Sequence, residues 1–439
     1  MPNATVLKAT VVTSLGGLLF GFDTAVISGA THDLTLRFNL SPAMLGITVA
    51  SALWGTAAGA LLAGIPADRL GRRDSMRFLA VFYLISALGC AFAWNWHALV
   101  FFRVLGGLAI GGSSVLGPMY IAEIAPAAWR GRLVGFFQFN VVAGILVAFV
   151  SNFGIGLLNF GHLEWRWKFG VSALPSALFF LMLFAIPRSP RWLAQKDRIP
   201  EAQEVLRIFG YEKPYVELET ILESLQQNKA SDKLFARQHS LPIFLAVSIG
   251  AFNQLSGINA VWYYLNDIFA RAGFSRVSGD LQAVLVGITN LVAGTVALCL
   301  IDRLGRKTLL LIGSVGCAAA LLGVFWVFHS ERHANLLLWC LISFIGFFSF
   351  SQGAVIWVYI SEVFPTSVRA RGQSLGSFSH WFTNALVAAL FPVISSSSGA
   401  IPFAFFAGMM FLQFIVVLFI YPETKGISLE MMQKRLRIT

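Results

Sequence analysis

Twelve long apolar runs, parted by short polar breaks, account for most of the chain. They fall near 8–29, 43–65, 78–96, 99–122, 134–157 and 168–187, then near 241–269, 281–301, 308–329, 336–361, 372–395 and 401–421. Crossing a hydrocarbon layer ~30 Å thick takes about 20 helical residues, so each run predicts a membrane-spanning helix. Many of the runs are rich in glycine, which suits close helix contact in lipid. The pattern predicts an all-α integral membrane protein of twelve transmembrane helices. One long polar region, 188–240, carries nine basic and eight acidic residues with helical spacing around Ala202–Leu225. It reads as a helical linker, either solvated or packed as a latch on the membrane part.

The two groups of six runs repeat each other. Asp68-Arg69-Leu70-Gly71-Arg72-Arg73 recurs as Asp302-Arg303-Leu304-Gly305-Arg306-Lys307, an offset of 234. Glu123 followed by Arg130 and Arg132 recurs as Glu362 followed by Arg369 and Arg371 at an offset of 239, and Pro187 matches Pro422 at 235. Three motifs in one order at nearly one offset point to duplication of a six-helix unit. The expected organisation is two pseudo-symmetric halves, 1–187 and 241–421, a cytoplasmic linker at 188–240 and a cytoplasmic tail at 422–439. Parallel repeats with a site at their interface are a transporter architecture.

Composition narrows the picture. Of 439 residues, 57% are hydrophobic and 12% charged, with mean hydropathy +0.73; a soluble chain carries about twice that charge. The net charge of +11 falls in short bursts between spans rather than in a patch, which argues against nucleic acid and for topology. Twenty-five of the 32 Lys and Arg lie at the termini and even-numbered loops, against six in the odd-numbered loops. Both termini are therefore expected in the cytoplasm. The four cysteines lie in or beside apolar runs without CxxC spacing, so they read as small buried side chains rather than disulfides or metal ligands. Cleavable signal, lipidation and catalytic motifs are not evident. Neither an enzyme nor a cofactor or metal is expected.

Two charges lie inside spans. Asp23 sits roughly 22 Å and Arg103 roughly 24 Å above the cytoplasmic surface at 1.5 Å per helical residue. An intramembrane acid and base at one depth are candidates for pairing. A carboxylate is held charged by a nearby Arg and neutral by burial alone. A conformational change that alters the pairing would therefore bind or release a proton; the alternative is a static ion pair.

GGLLFGFDTAVISG (16–29), DRLGRR (68–73), PMYIAEIAPAAWRGRL (118–133), QLSGINAVWYY (254–264), DRLGRK (302–307), SEVFPTSVRARG (361–372) and PETKG (422–426) together resemble the sugar porter branch of the major facilitator superfamily. The resemblance runs in order over nearly the whole chain. Asp23 makes it closer to bacterial proton-linked sugar symporters than to animal facilitative glucose carriers. It implies transport of a monosaccharide by alternating access, coupled to a proton, across a bacterial cytoplasmic (inner) membrane. The partners implied are the sugar, the proton and the lipid bilayer, with one chain as the functional unit. A facilitative uniporter that keeps Asp23 structurally is the main alternative. A sugar sensor of the same fold would carry a long signalling extension, whereas this chain ends shortly after Pro422.

The resemblance assigns residues to this chemistry. A sugar ring wants amides, which donate and accept, and aromatic faces to stack on. Gln138, Gln254, Asn259, Asn290 and Trp357 match the sugar-site positions; Asn253, Trp381 and Asn384 line the same region, with Phe20 near Asp23. Read without the motifs, such amides serve equally as interhelical hydrogen-bond glue. His380 stands where an amide is common, with packing as its simpler role. Trp262, Tyr263 and Tyr264 follow the bend allowed by Gly257 and are the expected outer gate, with an interfacial aromatic belt as the rival. The cytoplasmic gate is expected from Asp68, Arg69, Arg72, Glu123 and Arg130, with Asp302, Arg303, Arg306, Glu362 and Arg369 as their repeats. Two departures stand out: Arg188 replaces the family's usual acid after span six, and Asn253 replaces a glutamine.

Overall fold

The computed structural model describes residues 3–126, 128–211, 213–227, 234–365, 368–425 and 431. Most of the expected tail, and the side chain of Asp302, lie outside them. Among the described residues, twelve helices are long and apolar enough to cross a membrane: Ala4–Gly29, Pro42–Leu62, Arg72–Ala91, Trp96–Ile124, Arg130–Leu157, Gly161–Ala185, Arg237–Arg271, Arg276–Ala297, Arg306–Ser330, Asn335–Val363, Arg371–Ser397 and Ile401–Phe419. The count and order follow the apolar runs. Among the described residues there is no strand, as expected where lipid offers backbone groups no hydrogen bonds and each helix closes its own.

Spans seven and ten are each broken inside the bundle. The seventh comprises Ser240–Leu255 and Ile258–Arg271, parted at Ser256-Gly257. Gly257 takes φ +83°, and an added Cβ would overlap the Phe406 ring, so both conformation and space call for glycine there. The tenth comprises Asn335–Phe350 and Gln352–Val363, parted at Ser351. Breaks of this kind free backbone groups inside a bundle and expose side chains that a straight helix would turn away.

The residues form two compact units. One contains Met1–Thr24, Trp54–Ala148 and Trp165–Ala230; the other contains Ala25–Leu53, Phe149–Glu164 and Ser231–Thr439. In the first, spans one and five approach at backbone distance: a Cβ on Gly21 would overlap the carbonyl of Val141, and one on Gly144 that of Leu18. A core of Val6, Leu19, Met76, Tyr120, Phe137 and Phe179 fills the space around them. The linker packs on this unit through helices Pro190–Gln195, Ile199–Ile208 and Pro214–Gln227. Trp192, Leu193, Leu206 and Leu218 make its own small core, while Trp192 Nε1 donates to the carbonyl of Asp68 at 3.1 Å. The latch and the solvated linker are thus one object, with an apolar face turned inward.

In the second unit, Ala25–Leu53 and Phe149–Glu164 pack with helices beyond 231, which is why compactness groups residues differently from the sequence repeat. A Cβ on Gly46 would overlap the carbonyl of Ala389, and the Phe149 and Trp262 rings lie 5.8 Å apart. Val355, Ile356, Tyr359 and Leu309 form the centre of a second core. Substituting Gly21 or Gly144 by Leu should cost at least about 3 kcal/mol through overpacking against backbone. Gly154→Ala, which meets open space, should leave thermal unfolding in detergent unchanged.

Candidate functional site

Asp23 and Arg103 are in contact. Arg103 Nη1 donates to both carboxylate oxygens of Asp23, at 3.0 and 3.1 Å. The base is 3% exposed and the acid 24%, so the acid is the less buried member of the pair. Phe169 lies 5.8 Å from the guanidinium, and Arg103 Nε is buried without an acceptor. A bare charge at the centre of a span costs about 2.5–3.5 kcal/mol, and each ion lowers that cost for the other. Phe20, beside them in sequence, is half-buried against the core of the first unit. Gln138 is exposed on the fifth span.

The break in span seven gathers the other amides. Gln254 Nε2 donates to Asn253 Oδ1 at 3.0 Å and meets the His380 ring nitrogens at 3.2 and 3.3 Å. Asn259 Nδ2 donates to Gln254 Oε1 at 2.9 Å. His380 lies between two indoles, with ring centres 5.1 Å from Trp357 and 5.0 Å from Trp381. Trp357 is 37% exposed while Trp381 is buried, leaving the Trp357 face open beside the amides. Asn384 sits apart, donating to the Tyr263 hydroxyl at 3.2 Å. Asn290 is also separate: its Oδ1 accepts from Ser349 at 2.6 Å. Asn253, Gln254, Asn259, Trp357 and Trp381 therefore form one cluster around His380, which Asn290 and Asn384 of the same unit do not join.

Trp262, Tyr263 and Tyr264 are 3%, 3% and 1% exposed. An aromatic belt faces lipid and headgroups, so this burial favours the gate over the belt. Tyr264 departs from helical geometry at φ −119°, ψ 20°, donates to the carbonyl of Ala388 at 2.8 Å and stacks on Phe391 at 5.1 Å.

Some residues were not singled out from sequence. Gln352, at the break in span ten, is buried; its backbone carbonyl lies 3.5 Å from Asn253 Nδ2, and its own Oε1 lacks a partner. Gln413, in the last span, is fully buried with both amide atoms unsatisfied. A lone amide in an apolar run was the available signal. At the ends of these helices Arg276 Nη2 bonds Asp33 at 2.6 Å and lies 3.2 Å from Glu164. Asn266 donates to Asp280 close by. Glu164 and Asp280 are 2% and 1% exposed, and Lys168, also buried, lies one helical turn past Glu164. No local motif marks this cluster, since its members are far apart in sequence.

The repeated loops reproduce one constellation twice. Arg72 Nε donates to Glu123 Oε1 at 2.9 Å, and Ser189 donates to the other oxygen of Glu123. Arg306 Nη2 donates to Glu362 at 2.9 Å, and Thr424 to the same carboxylate at 2.6 Å. Tyr120 and Tyr359 donate to the carbonyls of Pro187 and Pro422, at 2.7 and 3.2 Å. Each set closes within one unit. Asp68 is largely exposed, 3.7 Å from Arg72; Arg69, Arg130 and Arg303 are exposed, and Arg369 Nε donates to the carbonyl of Phe364 at 3.4 Å.

The repeats differ at the acid that Arg188 replaces. In the C-terminal copy, Glu423 accepts from the backbone N–H groups of Arg306 and Lys307. This caps a helix whose N-cap, Gly305, has no side chain to do so. In the N-terminal copy Arg188 occupies that place and pairs with Asp74 at 3.0 Å. Asp74 also takes Arg73 at 3.0 Å and Arg77 at 2.7 Å. The acid lost at 188 is regained at Asp74, the third residue of helix Arg72–Ala91.

Twelve spans built on an internal repeat, with an ion pair joining two spans and an amide and indole cluster at a helix break, define a polytopic membrane carrier. Residues 9–436 match the family model "Sugar (and other) transporter", and the chain belongs to that family, within the major facilitator superfamily. It is 35% identical to the arabinose-proton symporter of Bacillus subtilis, covering 98% of this chain and 94% of that protein. It is 33% identical to the D-xylose-proton symporter of Escherichia coli, covering 98% and 95%. Among solved structures, the inward open conformation of the xylose transporter XylE from E. coli superposes with a TM-score of 0.88 at 32% identity, over 98% of this chain and 99% of that one. Membership places the chain among multi-pass membrane transporters rather than enzymes.

Burial pushes the Glu423 carboxyl up, but the N–H groups of Lys425, Arg306, Lys307 and Thr424 outweigh it and hold the group below its ordinary value of about 4.5. A carboxyl depressed in the folded state contributes stability fully above its unfolded value, and that contribution is lost as pH falls through the folded value. Glu423→Gln should therefore lower the melting temperature at about pH 7, and the gap to wild type should close at about pH 3. A gap that is constant with pH would remove the cap from the account.

Proposed function

We propose that this protein carries a monosaccharide together with a proton across a bacterial cytoplasmic membrane by alternating access, with both termini in the cytoplasm. The observation that carries the coupling is the Asp23–Arg103 pair. Protonation of Asp23 breaks the ion pair and frees Arg103; deprotonation restores it. One carboxylate thus links proton occupancy to the packing of spans one and four, and its partial exposure gives the proton a route. The sugar is read by Gln254, Asn253 and Asn259, with the exposed face of Trp357 as the stacking surface. Amides suit a neutral polyol because each both donates and accepts. The arabinose and xylose carriers among the relatives support a pentose or hexose as cargo.

The gates follow from the same geometry. Trp262, Tyr263 and Tyr264 close the outer path, and Arg276 holds it shut by joining Asp33 and Glu164 to span eight. On the cytoplasmic side, the Arg72–Glu123 and Arg306–Glu362 sets keep each half's loops rigid, so that the halves rock as bodies.

Two experiments test this. In proteoliposomes loaded for uptake of arabinose, xylose, glucose and myo-inositol, Asp23→Asn should abolish accumulation driven by an inward proton gradient while counterflow continues. Uphill uptake that survives would make the pair a static one and place proton coupling elsewhere, whereas a wild type that never accumulates sugar would be a uniporter. Arg276→Ala leaves Asp33 and Glu164 without this cation. In a background with native cysteines replaced by Ser, a cysteine at Ala388 should then react several-fold faster with an impermeant maleimide. An unchanged rate would remove Arg276 from the gate.

A further inference from the structure

The second unit holds a cavity of about 360 Å³ that the proposed central site does not use. Tyr264, Phe391 and Phe403 line it and are 1%, 5% and 1% exposed, so they form its floor. His32 and Arg271 line it and are exposed, so they form its mouth. By the orientation proposed above, this mouth opens on the outer side. Between floor and mouth stands Asp267. One of its carboxylate oxygens is buried with no hydrogen-bond partner. Arg271 Nη1 is anchored on the carbonyl of Ser395 at 2.5 Å, which fixes the guanidinium at the rim.

The chemistry of these groups limits what fits. An apolar ligand would leave the buried carboxylate oxygen unsatisfied, with its desolvation penalty uncompensated. An anion would be repelled by it. A metal ion wants several hard ligands, and among the described residues no group of three His, Cys, Asp or Glu comes together. A ring that bears hydroxyls meets each demand: its O–H groups donate to Asp267, its oxygens accept from Arg271, and its apolar face lies on the aromatic floor. The volume is at the small end of ligand pockets, about 300–1,000 Å³, which suits one sugar ring.

We propose that this cavity is a second monosaccharide site, an outer loading site that holds sugar beside the gate before it reaches the central amides. The inference rests on the transport reading above. Tyr264 ties the two together, because it walls the cavity and belongs to the gate segment at the non-helical point of span seven. Sugar in the cavity touches the residue whose movement opens the path inward.

The test counts bound sugar on the full chain in nanodiscs, by equilibrium binding of radiolabelled arabinose, xylose, glucose and myo-inositol. At saturation the wild type should bind two molecules of its substrate per chain. Gln254→Ala combined with Trp357→Ala should retain one, and the outer variants Asp267→Asn or His32→Trp should each retain one. In proteoliposomes, His32→Trp should raise KM for entry about threefold or more while leaving the maximal rate and the KM for exit within twofold. His32 is exposed, so this variant decides the matter even if Asp267→Asn fails to fold. One sugar per chain in the wild type, lost entirely from the central variant, would overturn the outer site and leave the transport reading standing. No binding of any of the four sugars would overturn the transport reading, and the outer site with it.

Discussion

A charge inside an apolar helix must find its partner within the protein, and the Asp23–Arg103 pair shows how much of the arrangement follows from that requirement. The two residues lie 80 positions apart on different spans. They meet only because spans one and five approach at glycine contact and span four carries Arg103 to the same depth. Burial of the base and partial exposure of the acid are unequal by design of the packing. The same constraint governs the amides at the break in span seven, which satisfy one another around His380.

The internal repeat has a physical counterpart in the two Arg–Glu–hydroxyl constellations, each closed by a tyrosine on a proline carbonyl. Both anchor the start of a span to the segment after the sixth helix of its half. Their divergence is instructive. Where the C-terminal copy caps a helix with Glu423, the N-terminal copy has Arg188 and draws Asp74 into a cluster with Arg73, Arg77 and Arg188. Net pairing is preserved while the sign at the capping position is reversed, so the acid missing at 188 does not leave the N-terminal copy without one.

Legibility in the sequence depended on how local each signal was. Apolar runs, glycine spacing and charged loop motifs are local, and they announced twelve spans, the bend at Gly257 and the repeat. The depth count was sufficient to pair Asp23 with Arg103, because a helix converts residue number into height. The amides of the QLSGIN segment were readable for the same reason. Asn290 and Asn384 were grouped with them by motif alone, and side-chain direction separates them: one turns to Ser349, the other to Tyr263. Gln352 and Gln413 gave only the weak signal of one amide in an apolar run. The Arg276 cluster gave none, since Asp33, Glu164 and Asp280 come together only through the packing of three distant segments.

By itself, then, the sequence determined what must be buried: twelve helices, because lipid leaves the backbone no other way to satisfy its hydrogen bonds, and a small set of polar side chains too costly to strand there. It also determined the duplication, which is written in the order and spacing of charged motifs. Tertiary structure alone decided which polar groups meet. Partner choice depends on the rotation of each helix about its axis and on the breaks at Ser256-Gly257 and Ser351, and neither is a property of a local stretch of chain. That is why the ion pair could be foreseen from depth, while the latch around Arg276 and the cavity beneath His32 became visible only once the helices were packed.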